Sequence, residues 1–476
     1  MKKYYLGIDL GSTTSKAVII DEQDNIIGRG ITNTRSNYEV AADIAKQSAI
    51  YNARFYLLQN RLSDIIERHP EYRRYIKEME DAFQYLQFSN RLERLNRQLL
   101  STAGEIAKDV ESELRMVAEA SRIIAEIQEE TKVDYLERDL GSKSQFFRDI
   151  VGEKYNEKVS ALPKAMFEPM MLLFDKSINP VENETIDFQF GQLVDESMNL
   201  LNAKYAHLAD TIIEVESNHF DAELNLLKGN YQRVSDSLKE HINYVSEEEF
   251  HIADMVGTGY GRALLPFPEN CIKSEILCHA FGAHAVFPNT RTVLDIGGQD
   301  TKAIQVDQYG LVTSFHMNDR CAAGCGRYLG YIADELNISL NELGPLALDA
   351  QKEVSICSTC TVFAGAELRE LMNVGEKRED ILAGLHRAIV MRAMSLLARS
   401  GGVRNEFTFT GGVARNQAVL KYVSELVRQN YGQDLTINVH TDSIFMGALG
   451  GAMFARRNIE VALPSKKKSE ELAEVN

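Results

Sequence analysis

Two segments of the sequence place an aspartate after an apolar stretch and directly before a glycine-rich turn. They span residues 7–16 (GIDLGSTTSK) and 293–302 (VLDIGGQDTK). Glycine lets backbone N–H groups approach phosphate oxygens closely, and Mg²⁺ prefers a few carboxylates, its own waters and substrate phosphates. Two such hairpins can hold a triphosphate from both sides. The pattern therefore predicts an ATP and Mg²⁺ site, with Asp9 and Asp295 beside the metal.

Two further glycine-rich segments extend this prediction. In residues 407–416 a strand, two glycines and a helix start follow one another, which suits an adenosine lying on the loop. In residues 447–452 small side chains favour close packing of two helices. The candidate nucleotide-binding residues are Gly11, Ser12, Thr13, Thr14, Lys16, Gly297, Gly298, Gly411, Gly412 and Asn416, and the candidate catalytic residues are Asp9, Asp295 and Gln299.

Four of the six cysteines fall in two short motifs. Cys321 and Cys325 form C-x3-C, and Cys357 and Cys360 form C-x2-C, each before a predicted helix start. A helix N-terminus favours the thiolate, and an iron–sulfur cluster normally needs four thiolates. One chain could supply all four, or each of two chains could supply two. A zinc site and inert buried thiols are the alternatives.

The remaining two cysteines lie on a predicted helix. Cys271 and Cys278 are flanked by apolar residues, so both are predicted to be core residues. Glu275 and His279 are four residues apart and share one helix face, where they could pair. A core or interface helix is the favoured interpretation of this segment.

The hairpins must be positioned by strands, and the strands occur at both ends of the chain. Residues 1–33 predict a hairpin and a third strand, with a turn at 22–25. Apolar residues at helical spacing then predict a first helix that ends at Pro70, followed by long helices over 71–131 and 191–245. Strands return near residue 252 and alternate with helices to about residue 457.

This order predicts four regions in the 476-residue chain. The first nucleotide-binding lobe comprises residues 1–33 and 250–289, and residues 34–249 form a helical insertion. The second lobe, with the cysteine motifs, spans 290–459, and a charged tail spans 460–476.

Composition excludes several classes of function. A net charge of −17 argues against nucleic-acid binding, which needs clustered Lys and Arg. The N-terminal apolar run is too short for a signal peptide, and no apolar run reaches membrane-spanning length. The sequence therefore predicts a cytoplasmic protein with no membrane partner.

The four glycine-rich segments in this order resemble the actin/Hsp70/sugar-kinase superfamily. The resemblance is closer to its branch of 2-hydroxyacyl-CoA dehydratase activators and benzoyl-CoA reductase ATPase subunits, and it covers residues 1–33 and about 250–457. It implies an α/β fold of two ribonuclease-H-like, actin-like ATPase lobes that close over ATP, with a large helical insertion in the first lobe. In this branch a [4Fe–4S] cluster bridges two subunits.

The cluster motifs of that branch map onto Cys321 and Cys360, whereas Cys325 and Cys357 depart from its pattern and are further candidate ligands. The resemblance implies a related ATPase subunit that shares the cluster, a ferredoxin-type electron donor and cluster-bearing partner subunits that bind a thioester.

The stretch at 30–38 looks like the entry to the insertion of benzoyl-CoA reductase ATPase subunits, so a benzoyl-CoA reductase is the favoured acceptor. Activation of a 2-hydroxyacyl-CoA dehydratase or of a double-cubane-cluster protein is the alternative. A small-molecule kinase and a non-enzymatic Hsp70- or actin-like binding module represent other classes of function.

Overall fold

The fold consists of two compact units. A computed structural model of the chain describes residues 2–34, 37–137, 146–185, 188–213, 220–264, 268–319, 326–336, 338–356 and 361–462. One unit comprises Met1–Ile50 and Phe250–Asn476, and the other comprises Tyr51–Glu249. The lobe boundaries stated above stay a prediction.

The first sheet contains the N-terminal hairpin. Its strands are β1 (Tyr4–Leu10), β2 (Thr14–Ile20), β3 (Ile26–Asn33) and β4 (Ile252–Gly259), in the order β3-β2-β1-β4. The first three strands are antiparallel neighbours, and β4 pairs with β1 in parallel. Every residue of β1 is buried, as is typical of a central strand covered on both faces.

The second sheet repeats this plan with one more strand. Its strands are β5 (Thr292–Ile296), β6 (Thr301–Val306), β7 (Val312–Asn318), β8 (Phe407–Thr410) and β9 (Ile437–Val439), in the order β7-β6-β5-β8-β9. Again three antiparallel strands precede parallel ones. The predicted fold class, α/β with two actin-like lobes of the ribonuclease H kind, is therefore confirmed.

Most of the remaining described residues are helical. They are α1 (Tyr38–Arg61), α2 (Ser63–Arg68), α3 (Pro70–Ile106), α4 (Val110–Glu137), α5 (Phe147–Ser160), α6 (Lys164–Glu182), α7 (Phe190–Ile213), α8 (Phe220–Glu247), α9 (Glu275–Val286), α10 (Gly326–Leu336), α11 (Leu343–Leu348), α12 (Thr361–Asn373), α13 (Arg378–Ser400), α14 (Gln417–Tyr431) and α15 (Met446–Ala462). Because α1 to α8 lie between β3 and β4 in the sequence, these helices form an insertion between two successive strands of the first sheet.

The helical unit has its own apolar core. The rings of Phe55, Phe83 and Phe190 pack together with centroid separations of 5.3 to 5.5 Å. Buried aromatic contacts of this kind add to the free energy gained from apolar burial. The unit is therefore held together by internal packing and not by its surface charges alone.

Helix α15 packs very closely on α9, as the small residues at 447–452 predicted. A Cβ at Gly450 would lie 1.9 Å from the carbonyl oxygen of Cys278, and one at Gly282 would lie 2.0 Å from that of Met446. Gly7 on β1 approaches α15 in the same way, because a Cβ there would lie 1.9 Å from the carbonyl oxygen of Ala448. Any side chain at these positions would force the backbones apart.

One helix among the described residues, α13, is long and apolar enough to cross a membrane. The apolar stretch of this helix is 67% buried within the protein. Its residues pack in the core of the second sheet's lobe with Phe407 and Phe409 of β8. Burial to this extent is typical of a helix in the core of a folded lobe, which is where α13 lies.

Candidate functional site

The two predicted phosphate hairpins lie against each other. A Cβ at Gly298 would fall 2.2 Å from Thr13 Oγ1, so the turn after β5 directly faces the turn after β1. Arg327, at the start of α10, donates a hydrogen bond from Nη2 to Ser12 O at 3.0 Å. Its backbone N–H donates to Gly298 O at 2.8 Å. The fold therefore brings together two hairpins that are almost 300 residues apart in sequence.

In the first hairpin an aspartate and a lysine face each other across neighbouring strands. Asp9 of β1 is paired in register with Lys16 of β2, and Lys16 Nζ lies 3.2 Å from Asp9 Oδ2. The side chain of Lys16 is 11% exposed and that of Asp9 is 2% exposed. Lys16 has one carboxylate partner among the described residues, so its remaining N–H groups can serve a phosphate.

The second hairpin repeats this pair but surrounds its lysine with acids. Lys302 Nζ lies 3.4 Å from Asp295 Oδ2, 2.7 Å from Asp300 Oδ1 and 2.8 Å from Glu275 Oε1. The Lys302 side chain is only 1% exposed. With three carboxylates around three N–H donors, this lysine is fully engaged within the protein.

His279 of α9 lies between the aspartates of the two hairpins. Its Nδ1 is 3.1 Å from Asp295 Oδ1, and its Nε2 is 3.9 Å from Asp9 Oδ2 and from Glu275 Oε1. Thr410 of β8 donates a hydrogen bond of 2.9 Å to Asp295 Oδ1. Glu275 and His279 are thus part of the site, whereas the sequence favoured a core or interface helix.

The pKa values of these buried groups shift as their neighbours dictate. Burial alone would lower the pKa of His279, but the carboxylates of Asp295 and Asp9 raise it above its ordinary value. Burial would raise the pKa of Asp295, but His279 and Lys302 hold it well below its usual range. Burial and the nearby Glu275 raise the pKa of Asp300, against the opposing effect of Lys302. Asp295 is therefore held as a carboxylate.

Two buried oxygens at the hairpins fit a cation and a phosphate. Asp9 Oδ1 and Thr13 Oγ1 are shielded from solvent and have no hydrogen-bond partner among the described residues. Asp9, Glu275 and His279 also offer ligand atoms within 4.8 Å of one another, an arrangement that could hold a metal ion. An unpaired buried carboxylate oxygen is costly unless a cation or donor reaches it, so Asp9 fits the predicted Mg²⁺.

The third glycine segment is attached to the second hairpin. Gly411 has φ +91°, and a Cβ there would fall 2.2 Å from Ile296 O, two positions before Gly298. Asn416 caps α14, accepting hydrogen bonds from Ala418 N and Val419 N at 3.0 Å. Its Nδ2 donates to His386 Nε2 at 3.1 Å. The sequence did not single out His386.

The other predicted nucleotide-binding residues lie in the two hairpins, except Gly412, which follows β8. Gly11 approaches Lys16, whose Nζ would lie 3.1 Å from a Cβ there. Thr14 begins β2, and Gly297 and Gln299 are half-buried in the turn between β5 and β6. Gly412 begins the short 3-10 turn that follows β8. Their roles in binding or hydrolysis stay a prediction.

The predicted cluster cysteines, Cys321, Cys325, Cys357 and Cys360, lie outside the described residues. Cys271 and Cys278 are 6% and 0% exposed, so the prediction that they are core residues is confirmed. Burial raises the pKa of Cys278 to about 12, which keeps it a neutral thiol.

Comparisons with known proteins agree with this geometry. Over 204 residues the chain is 41% identical to the 2-hydroxyisocaproyl-CoA dehydratase activator of Clostridioides difficile, covering 43% of this chain and 74% of that protein. Over 176 residues it is 33% identical to a subunit of the benzoyl-CoA reductase of Thauera aromatica, covering 37% of this chain and 62% of that protein.

The solved structure of the activator of the 2-hydroxyisocaproyl-CoA dehydratase from Clostridium difficile with bound ADPNP shares the fold. Its TM-score is 0.50 at 20% identity, and the alignment covers 96% of each chain. The family model described as the BadF/BadG/BcrA/BcrD ATPase family matches residues 6–455. The chain therefore belongs to the BadF/BadG/BcrA/BcrD ATPase family.

Proposed function

We propose that this chain uses ATP hydrolysis to drive single electrons of low potential into a partner protein that processes an acyl-CoA thioester. The observation that carries the proposal is the contact between the two hairpins, with Asp9 and Asp295 on either side of His279. A nucleotide held by both hairpins would favour one arrangement of the lobes over another. Hydrolysis can then shift a two-state equilibrium.

The residues divide the work as follows. Backbone N–H groups of the two glycine turns, the Thr13 hydroxyl and Lys16 bind the phosphates. Asp9 would hold Mg²⁺, which neutralises phosphate charge when bound. Asp295 is fixed as a carboxylate beside the same space, where it and Gln299 would orient the attacking water.

The redox part of the proposal comes from the sequence. Four cysteines in two short motifs have the donor chemistry of a [4Fe–4S] cluster, which would supply single electrons at low potential. Cys321 and Cys360 would come from each of two ATPase subunits, identical or related, so that the cluster lies on their interface. The electron would come from a ferredoxin-type donor.

The identity of the acceptor rests on two observations that point to different partners. The higher identity to a dehydratase activator favours a 2-hydroxyacyl-CoA dehydratase as the acceptor. The long helical insertion favours a benzoyl-CoA reductase instead, because the stretch at 30–38 resembles the entry to the insertion of benzoyl-CoA reductase ATPase subunits. In both cases this chain needs no thioester pocket of its own.

The test is to purify the chain anaerobically with its partners and measure iron, acid-labile sulfide and the EPR spectrum of the reduced form, with and without MgATP. About four irons per two subunits and a spectrum changed by nucleotide are expected. A colourless protein without iron would remove the redox role. Phosphoryl transfer from ATP to a metabolite would identify a kinase.

Aspartate variants separate the two roles. Asp9→Asn and Asp295→Asn should each lower ATP hydrolysis and ATP-dependent electron transfer together, by about 100-fold or more, while the iron content is unchanged. Asp434→Asn, at an exposed turn outside the site, is the matched control. Loss of iron in the Asp9 or Asp295 variants would contradict this separation.

A further inference from the structure

The chain segment that precedes Cys357 is attached to one face of α13. Asp380 Oδ1 accepts hydrogen bonds from Gln351 N at 2.8 Å and Lys352 N at 3.1 Å, and Asp380 O accepts one from Val354 N at 3.3 Å. One turn further along, a Cβ at Gly384 would fall 1.7 Å from Val354 O. The backbone of residues 351–354 therefore lies directly on the helix.

The opposite face of α13 contacts the loop predicted to hold the adenosine. His386 is two residues beyond Gly384, which is about 200° around a helix of 3.6 residues per turn. Its Nε2 accepts a hydrogen bond from Asn416 at 3.1 Å, and its Nδ1 donates to Leu382 O at 2.7 Å. His386 is fully buried, so this contact is not exchanged for water.

The attached segment borders an open cleft. The cleft, about 370 Å³ in volume, is lined by residues 353–356 of the segment and by Gly384, Arg387 and Met391 of α13. Ile356, the residue before Cys357, is buried in the lobe core. The segment is therefore held at defined points without being packed solid along its length.

We propose that α13 couples the nucleotide loop to the segment that leads into the Cys357 and Cys360 motif, with His386 as the positioning residue. The inference rests on the proposed function, because it explains how a bound nucleotide would reach that motif. A movement of Asn416 with the adenosine loop would pull on His386 and turn or shift α13. The backbone amides that donate hydrogen bonds to Asp380 would then exchange with solvent at a different rate.

Hydrogen exchange of the full chain, read by mass spectrometry over residues 350–356, tests this coupling. We expect exchange at the amides of Gln351, Lys352 and Val354 to differ at least about fivefold between the ADP and non-hydrolysable ATP-analogue states. His386→Leu, which removes the acceptor for Asn416, should still bind nucleotide but lose that difference. His386→Gln, which keeps an acceptor at the same reach, should restore it.

A glycine pair provides an independent check that does not depend on His386. Gly384→Ala should displace the segment, so that its amides exchange rapidly in every nucleotide state. Gly330→Ala is the matched control, because a Cβ there meets nothing within 4 Å. Both variants should still bind nucleotide.

The outcomes are distinguishable. Failure of the wild-type chain to bind any adenine nucleotide would overturn the proposed function and this inference with it. Nucleotide binding with no change at 350–356, or an unchanged response in His386→Leu, would overturn only the coupling. If His386→Leu fails to fold, the wild-type comparison of the ADP and ATP-analogue states still tests the coupling, because an unchanged exchange rate at 350–356 would overturn it.

Discussion

Replacement of Lys302 by methionine should destabilise the nucleotide-binding unit strongly. The substitution keeps the length of the side chain but leaves Asp295, Asp300 and Glu275 without the cation that they share. At an effective dielectric of about 20, each attraction over such distances is about 5–6 kcal/mol, offset by desolvation and by repulsion among the acids. Removing one partner of a buried ion pair costs about 3–5 kcal/mol in net free energy of unfolding. We therefore expect Tm to fall by about 6–20 °C.

Differential scanning calorimetry can assign the loss to the correct unit, because ligand binding raises the transition of the unit that binds MgATP. Among the described residues Lys16 has one carboxylate partner, and its side chain is 11% exposed, so Lys16→Met should lower the free energy of unfolding by less than Lys302→Met. Lys352→Met removes an exposed pair with Glu376 and should cost at most about 1 kcal/mol. The difference in unfolding free energy between wild type and Lys302→Met should shrink as pH falls, because protonation neutralises the carboxylates that have lost their cation. A loss in Lys302→Met no larger than in Lys352→Met would refute the reasoning.

Two further predictions address the hairpin contact and the buried histidine. Gly298→Ala places a Cβ 2.2 Å from Thr13 Oγ1, so the hairpins must separate. The kcat for ATP hydrolysis should then fall about 100-fold. Unchanged kinetics would show that hydrolysis does not need this contact. Burial lowers the pKa of His386 to about 4, so protonation favours the unfolded chain as pH falls from about 6.5 towards 4. Relative to His386→Leu, wild type should therefore lose about 3 kcal/mol of unfolding free energy between pH 7 and pH 4 in urea titrations, and parallel losses would contradict the assignment.

The local order of the strands could be predicted because each hairpin has its own sequence pattern. Apolar runs bounded by glycine and by a turn at 22–25 correspond to β1, β2 and β3. Strand β2 ends at Ile20 and β3 begins at Ile26, on either side of that turn. Helix ends were harder to predict. Pro70 does not simply stop a helix but occupies the first turn of α3, where its missing N–H costs nothing.

The long helix predicted over 71–131 is in fact two helices. Ala107 has extended backbone angles, φ −63° and ψ 142°, and ends α3. Asp109 and Ser112 then cap α4 reciprocally: Asp109 Oδ1 accepts from Ser112 N at 2.7 Å, and Ser112 Oγ accepts from Asp109 N at 3.1 Å. The apolar periodicity continues across this break, so it could not reveal the break. Local side-chain hydrogen bonds decided it.

The site was predictable where a single segment carries it and was missed where the fold assembles it. Asp9 and Asp295 could be found because each stands before its own glycine turn. The role of Glu275 and His279 depends on where α9 is placed. The small residues at 447–452 predicted close helix packing but did not identify α9 as the partner helix. His386 and Asn416 are 30 residues apart and meet only because α13 and α14 pack together.

The two hairpins share a sequence pattern, yet their lysines are not equivalent. Both patterns place a lysine seven residues after the aspartate and pair the two across a strand. Asp300 from the turn and Glu275 from α9 enclose Lys302. Lys16 has one carboxylate partner within the described part of the chain, and its side chain is 11% exposed. A lysine that gave a hydrogen bond to phosphate from the second hairpin would have to leave buried carboxylates unpaired, at high cost. We therefore expect a lysine to bind phosphate from the first hairpin, whereas the lysine of the second hairpin holds Asp295 charged and in place.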